Sequence, residues 1–176
     1  QVPEHGIVKT RDEGFEDLCL QVSGFTNLEE SLNEYFKFEY LTGDNQYYCE
    51  EINQKVDALK GVQIKKFPKI LTISLSRFEI DFNTFQPKKV NDRFEFPLEL
   101  HMNQYLSEDS EQKGEDIDYE LLSCIIHIGN VGGGHYKAYI RDYSNEGEWN
   151  FKLYDEEETA RESEKHDKEE VEKTQP

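Results

Sequence analysis

The sequence predicts an α+β fold: a mostly antiparallel β-sheet with one short helix. Three observations carry that expectation. Several stretches alternate apolar and polar residues with the two-residue period of half-buried strands. Turn signals join neighbouring stretches at hairpin distance. A single segment has helical spacing behind a cap. Runs of strands joined by hairpins, with few helices between them, favour an antiparallel sheet over a βαβ arrangement.

Taken in order, residues 15–22 hold strand formers with partial alternation, ended by Gly24. Thr26, Asn27, Leu28 and Glu29 then read as a capping box, with Thr26 accepting from the Glu29 N–H. Behind it Leu28, Leu32, Tyr35 and Phe36 lie on one side of a helix of about three turns. Gly43, Asp44 and Asn45 signal a turn, and residues 47–60 read as a polar connection. After Pro68, Leu71, Ile73 and Leu75 share one face of a strand while Thr72, Ser74 and Ser76 share the other. Residues 94–97 look like a short strand ended by Pro97, and residues 121–128 are almost continuously apolar, as in a central strand. Residues 135–141 alternate, residues 144–147 turn, and Trp149 to Tyr154 return along the neighbouring strand.

The 176 residues carry 38 Asp and Glu against 20 Lys and Arg, a net charge of −18. Aromatic residues at 12% argue against a disordered chain, and the length suffices for one domain with a real core. So acidic a chain is a poor partner for phosphate backbones, which excludes general nucleic-acid binding. It favours partners with a basic surface. Much of the charge is local: residues 155–176 hold ten acids and four bases, and residues 107–118 hold six acids and one Lys. The first reads as a disordered acidic tail over residues 156–176 and the second as a loop insertion, leaving a domain over residues 1–155. No apolar run approaches the ~20 residues that span a bilayer, and no signal peptide is visible. Cys19, Cys49 and Cys124 form no CxxC pair, so a reducing, cytoplasmic or nuclear setting is expected.

The segment from Ile126 to Tyr136 stands apart, with four glycines at Gly129, Gly132, Gly133 and Gly134. Glycines there let the backbone approach a ligand closely. A phosphate cradle should open a helix, whereas the following residues alternate like a strand. A metal site built on His127 and His135 lacks a second pair of ligands. A plain flexible hairpin with a surface histidine accounts for the local pattern without chemistry. The sharper reading makes His135 a general base, at the junction of a flexible loop and a rigid strand. Such an imidazole needs an orienting acid on its other nitrogen. A turn centred near residues 145–146 makes cross-strand partners sum to about 290 to 292, setting His135 opposite Asp155 to Glu157. Asp155 is the first choice. The alternative for Asp155 is simply the start of a solvated acidic tail.

The run Gly-Gly-Gly-His-Tyr-Lys-Ala-Tyr-Ile at residues 132–140, with Ile-His-Ile-Gly just ahead, resembles the histidine box of ubiquitin-specific proteases, the papain-like cysteine deubiquitinases. Residues 67–78, ending in Arg77 and Phe78, and residues 88–97, Lys-Lys-Val-Asn-Asp-Arg-Phe-Glu-Phe-Pro, are similar to that family's next segments. Residues 15–20, the capped helix and residues 45–50 resemble its approach to the fingers subdomain. The likeness covers roughly residues 10–155 in family order.

The resemblance implies a palm-and-fingers portion of the catalytic domain, with the thumb subdomain missing. It implies hydrolysis of the (iso)peptide bond after ubiquitin's C-terminal glycine, with ubiquitin and ubiquitinated proteins as partners and no nucleic acid or membrane. His135 would be the base and Asp155 its orienting acid. His127, Gly129, Gly132, Gly133, Gly134 and Tyr136 would flank the channel for the ubiquitin tail. Three departures follow. No Asn-rich cysteine box occurs, so the nucleophile is expected outside this chain, which alone should be inactive. Cys49 has Ile52 where a zinc knuckle needs a second thiolate, so no metal or other cofactor is expected. The family's acid falls about four residues after the tryptophan, which here is Leu153, two residues before Asp155. The competing reading is a non-catalytic ubiquitin-binding scaffold, separated from the enzyme by whether a cysteine box precedes these residues in the full protein.

Overall fold

The structure, a computed structural model, describes residues 1–144 and the backbone of residues 151–155. In chain order come β1 (Leu18–Gln21), α1 (Leu28–Tyr35), β2 (Glu39–Leu41), β3 (Tyr47–Cys49), β4 (Gln54–Val56), β5 (Ala58–Lys60) and β6 (Ile73–Ser76). They are followed by β7 (Phe78–Asp81), β8 (Gln86–Lys89), β9 (Glu99–His101), β10 (Asp118–Glu120), β11 (Ser123–Asn130), β12 (Gly133–Arg141) and β13 (Phe151–Asp155). Among the described residues the strands pair mostly antiparallel and α1 is the one α-helix, as the alternation and the cap predict. The chain divides into two compact units. One holds residues 1–79 and 90–119; the other holds residues 80–89 and the described residues from 120 onward.

The core of the first unit starts from β1, whose alternation buries Leu18 and Leu20 and turns Cys19 and Gln21 outward. β1 lies parallel to β6, with Leu18 opposite Ile73 and Leu20 opposite Leu75. Leu71, Ile73 and Leu75 pack on the core as one face, as their spacing predicts. α1 adds Leu28 and Leu32, and Phe36 at its C-cap stacks on Tyr105 with ring centroids 4.6 Å apart. The Tyr105 hydroxyl donates to Asn33 Oδ1 at 2.9 Å, and the Ser31 hydroxyl donates to the Gln21 carbonyl at 2.7 Å, which fixes the helix on β1. Leu20 is completely enclosed. Leu20→Ala should therefore lower unfolding free energy by about 2–5 kcal/mol, read from denaturant titrations.

Several local expectations are corrected. The helix cap is Asn27, not Thr26: Asn27 Oδ1 accepts from the Glu30 N–H at 2.9 Å, while Glu30 Oε2 accepts from the Thr26 N–H and hydroxyl, both at 2.9 Å. The reciprocal logic holds one residue along. The helix has 8 residues rather than three turns, and Tyr35 is exposed. Residues 94–97 form no strand; Glu95 makes only a bridge to Asn27, which leaves Phe94 buried in the core. The supposed polar connection 47–60 contains β3, β4 and β5, with β3 on β4 and β2 on β5. Cys49, Val56 and Ala58 there build a second small core with Val2. Of the cysteines, Cys19 is exposed and Cys49 is buried.

The acidic stretch 107–118 connects β9 and its following turn to β10, and it is held down. The Ser110 hydroxyl donates to the Lys65 carbonyl at 2.7 Å, Gln112 Oε1 accepts from the Phe67 N–H at 2.6 Å, and Ile117 is buried. Beside it, His101 Nδ1 lies 2.7 Å from Asp118 Oδ1, and that hydrogen bond holds the imidazole above its usual 6.5. A folded-state rise means the charged pair stabilises fully below the unfolded value and stops doing so as pH climbs through the raised one. Asp118→Asn should therefore narrow the stability gap between about pH 5.5 and pH 8.5, measured by urea unfolding at both. An unchanged gap would assign the pH dependence elsewhere.

Candidate active site

The second unit contains the glycine-rich segment, and its structure is a hairpin rather than a loop. β11 pairs antiparallel with β12 from Ser123 opposite Ile140 out to Asn130 opposite Gly133. Only Val131 and Gly132 remain between the strands, so Gly129, Gly133 and Gly134 lie within them and His135 sits two residues inside β12. The expected loop-to-strand junction is corrected: His135 is held by ladder pairing on the strand itself. β11 is also an outer strand of the order β11–β12–β13, not the central one. Its apolar run reflects exposed Ile125 and Ile128 (71% and 53% accessible) on opposite faces rather than full burial.

Two of the four glycines are required by geometry. Gly129 has φ of +136°, and a Cβ there would come 2.6 Å from the Gly133 carbonyl oxygen. At Gly134 a Cβ would fall 2.2 Å from His127 Nε2 and 2.5 Å from the Ile128 oxygen. The His127 imidazole thus lies directly across the bare backbone of Gly134. It also meets the Tyr136 ring, with centroids 4.8 Å apart. At Gly132 and Gly133 a Cβ would meet nothing within 4 Å.

The register sorts the candidate residues by face. His127 pairs with Tyr136, and Ile128 pairs with His135. Paired residues share a face and successive ones alternate. His127, Gly134 and Tyr136 therefore form one cluster, and half-buried His135 projects on the opposite face. That arrangement removes the metal reading, because His127 and His135 cannot converge on one ion.

β13 pairs with β12 such that Asp155 faces Lys137 and Arg141 faces Phe151. Partners sum to 292, the upper limit expected, and Asp155 belongs to the strand rather than following it. His135 thus has Asp155 as a diagonal rather than a direct neighbour. Diagonal positions on a sheet are roughly 7–8 Å apart at Cα. The position opposite His135 on the β13 side, and Trp149 with the expected turn at 144–147 beyond Ser144, lie outside the described residues.

Lys89 was not among the candidate residues. Its Nζ donates to the carbonyls of His127 at 3.0 Å and Gly129 at 2.9 Å, gripping β11 near the hairpin tip. At the other end of β12, Arg141 pairs with Glu120 and its N–H donates to the Leu122 carbonyl at 2.8 Å.

Comparison with known proteins points to one family. The family model described as ubiquitin carboxyl-terminal hydrolase matches residues 18–176. Ubiquitin C-terminal hydrolase 12 of Arabidopsis thaliana is 43% identical over 136 residues, covering 75% of this chain and 12% of that protein. Ubiquitin carboxyl-terminal hydrolase 5 of Schizosaccharomyces pombe is 38% identical over 139 residues, covering 79% of this chain and 12% of that protein. Among solved structures, a chain of the SAGA Ubp8/Sgf11/Sus1/Sgf73 DUB module bound to ubiquitin aldehyde superposes with a TM-score of 0.63 and 33% identity. That match covers 81% of this chain and 33% of the solved one. The chain therefore spans about an eighth of those relatives and a third of that neighbour. With a histidine box folded as a paired hairpin and a family match over nearly its whole length, the chain belongs to the ubiquitin carboxyl-terminal hydrolase family, the ubiquitin-specific proteases.

Proposed function

We propose that this chain supplies the histidine-bearing part of an intracellular cysteine-type deubiquitinase, cleaving the (iso)peptide bond after ubiquitin's C-terminal glycine. The nucleophile comes from outside these residues. None of the three cysteines suits the role: Cys49 is buried, Cys19 contacts Ser76 Oγ at 3.2 Å on β1, and Cys124 lies inside β11. The observation that carries the reading is the hairpin register, which leaves His135 half-buried on a rigid strand with Asp155 one diagonal step away.

In this mechanism His135 takes the proton of the attacking thiol, and the thiolate adds to the glycine carbonyl carbon. As the tetrahedral intermediate collapses, His135 returns the proton to the leaving lysine amine. Asp155 holds the imidazole in the tautomer that presents a free nitrogen to sulfur. A water activated by His135 then hydrolyses the thioester. The tip of the hairpin, with His127, Gly129, Gly132, Gly133, Gly134 and Tyr136, flanks the ubiquitin tail, whose glycines offer mainly backbone to grip. A net charge of −18 favours approach of that basic tail.

The test is hydrolysis of ubiquitin-amidomethylcoumarin by the 176-residue chain and by the full-length protein that contains it. The expected result is no turnover by the former and turnover by the latter. Turnover by the short chain that survives Cys→Ser changes at all three cysteines would refute the mechanism. A full-length protein that binds ubiquitin without turnover would favour the scaffold reading.

A further inference from the structure

We propose that Lys89 is a positioning residue for His135, acting through the backbone of β11. The inference rests on the catalytic reading of His135, but its structural half can be tested independently. Lys89 closes β8, and its ammonium makes two charge-assisted hydrogen bonds, to the His127 and Gly129 carbonyls. Such bonds are stronger than neutral ones. Carbonyls two residues apart on a strand point the same way, so Lys89 spans the edge of β11 turned away from β12.

Those two carbonyls belong to the neighbours of Ile128, and Ile128 is the residue that pairs with His135. Lys89 therefore grips the ladder on either side of the rung that carries the histidine. The grip is needed where it occurs. Glycines at 129, 132, 133 and 134 give the hairpin tip little intrinsic stiffness. Within the described sheet β11 has a partner strand on one side only. With that edge free, β11 could twist or shift, and His135 would follow its rung. A displacement of about 1 Å at a catalytic group can lower a rate 100-fold.

A bond that only covered a strand edge would contribute to stability and leave the imidazole where it is. The two roles separate in Lys89→Met, which keeps the apolar stem and removes the donors, and in Lys89→Arg, which keeps donors and charge. In the full-length enzyme Lys89→Met should lower kcat for ubiquitin-amidomethylcoumarin about 10- to 100-fold with KM little changed. Lys89→Arg should recover most of that loss. In the same proteins, amide hydrogen exchange at Ile128 and His135 should accelerate in Lys89→Met while that of Leu18 to Gln21 stays constant. The His135 ring resonances should also shift. Exchange and ring resonances at wild-type values in Lys89→Met would overturn the proposal, whatever the rate does. So would a loss confined to KM or one that Lys89→Arg does not recover. If His135→Ala leaves turnover intact, the catalytic reading fails, and the exchange data still report whether Lys89 holds β11.

Discussion

Replacing His135 by alanine in the full-length enzyme should lower kcat for ubiquitin-amidomethylcoumarin by about 10³-fold or more, with ubiquitin affinity nearly unchanged. Two losses combine. General base and acid catalysis by a positioned side chain is worth about 10²- to 10⁴-fold. An unassisted thiol near its ordinary pKa of about 8.5 is also mostly protonated at pH 7, and the thiol is the poor nucleophile. Binding should be spared because β12 is held by ladder pairing on both sides, to β11 and β13, and not by the imidazole. Kinetics with the fluorogenic substrate and calorimetric titration with ubiquitin separate the two effects. Retained activity would remove His135 from the catalytic group, while lost binding would assign it to substrate recognition instead.

Gly134→Ala should damage the hairpin severely. The new methyl would sit 2.2 Å from His127 Nε2 and 2.5 Å from the Ile128 oxygen. The imidazole can swing aside. The Ile128 oxygen cannot, because it belongs to the backbone that pairs with His135. Overpacking of this kind costs typically about 1–3 kcal/mol, and the strand separation that relieves it moves the adjacent histidine. A drop in kcat of about 100-fold is expected alongside a lower melting temperature. Gly132→Ala and Gly133→Ala are internal controls, since a Cβ at either position meets nothing within 4 Å. They should change stability by less than about 0.5 kcal/mol. Equal behaviour of Gly134→Ala and Gly132→Ala by thermal unfolding would show that the close approach does not limit the hairpin.

What was legible in the sequence followed local period and turn chemistry. The face shared by Leu71, Ile73 and Leu75 and the Leu28, Leu32 and Phe36 side of the helix report their own burial within one element, whereas the alternation from His135 to Arg141 reports the strand but not its burial. Features that depend on a partner far along the chain left no local trace. The parallel pairing of β1 with β6 joins segments about 55 residues apart. Strand direction has no period. β3, β4 and β5 are three residues each, too short for alternation to emerge from a polar background. Thr26 and Asn27 are both competent caps, and which one serves depends on the reach of Glu30. The apolar run of β11 resembles a central strand because both faces are apolar, yet it lies at the side of its sheet.

The candidate site divides the same way. The candidate histidine, its glycines and the acid that ends the return strand could be named as candidates from pattern and spacing, and hairpin arithmetic came within one diagonal of the observed register. Which glycines are obligatory could not be read, because the crowding at Gly129 and Gly134 is set by cross-strand distances. Lys89 reaches carbonyls 38 and 40 residues away, so only the folded chain identifies it.

The central claim is that His135 acts on a sulfur from outside these residues. The rate of iodoacetamide alkylation of the enzyme's nucleophilic cysteine, followed against pH in the full-length protein, tests it most directly. A thiol paired with His135 should titrate well below its ordinary pKa of about 8.5. His135→Ala should return the profile toward that value. An identical profile in the two proteins would mean that the imidazole and the thiol do not meet.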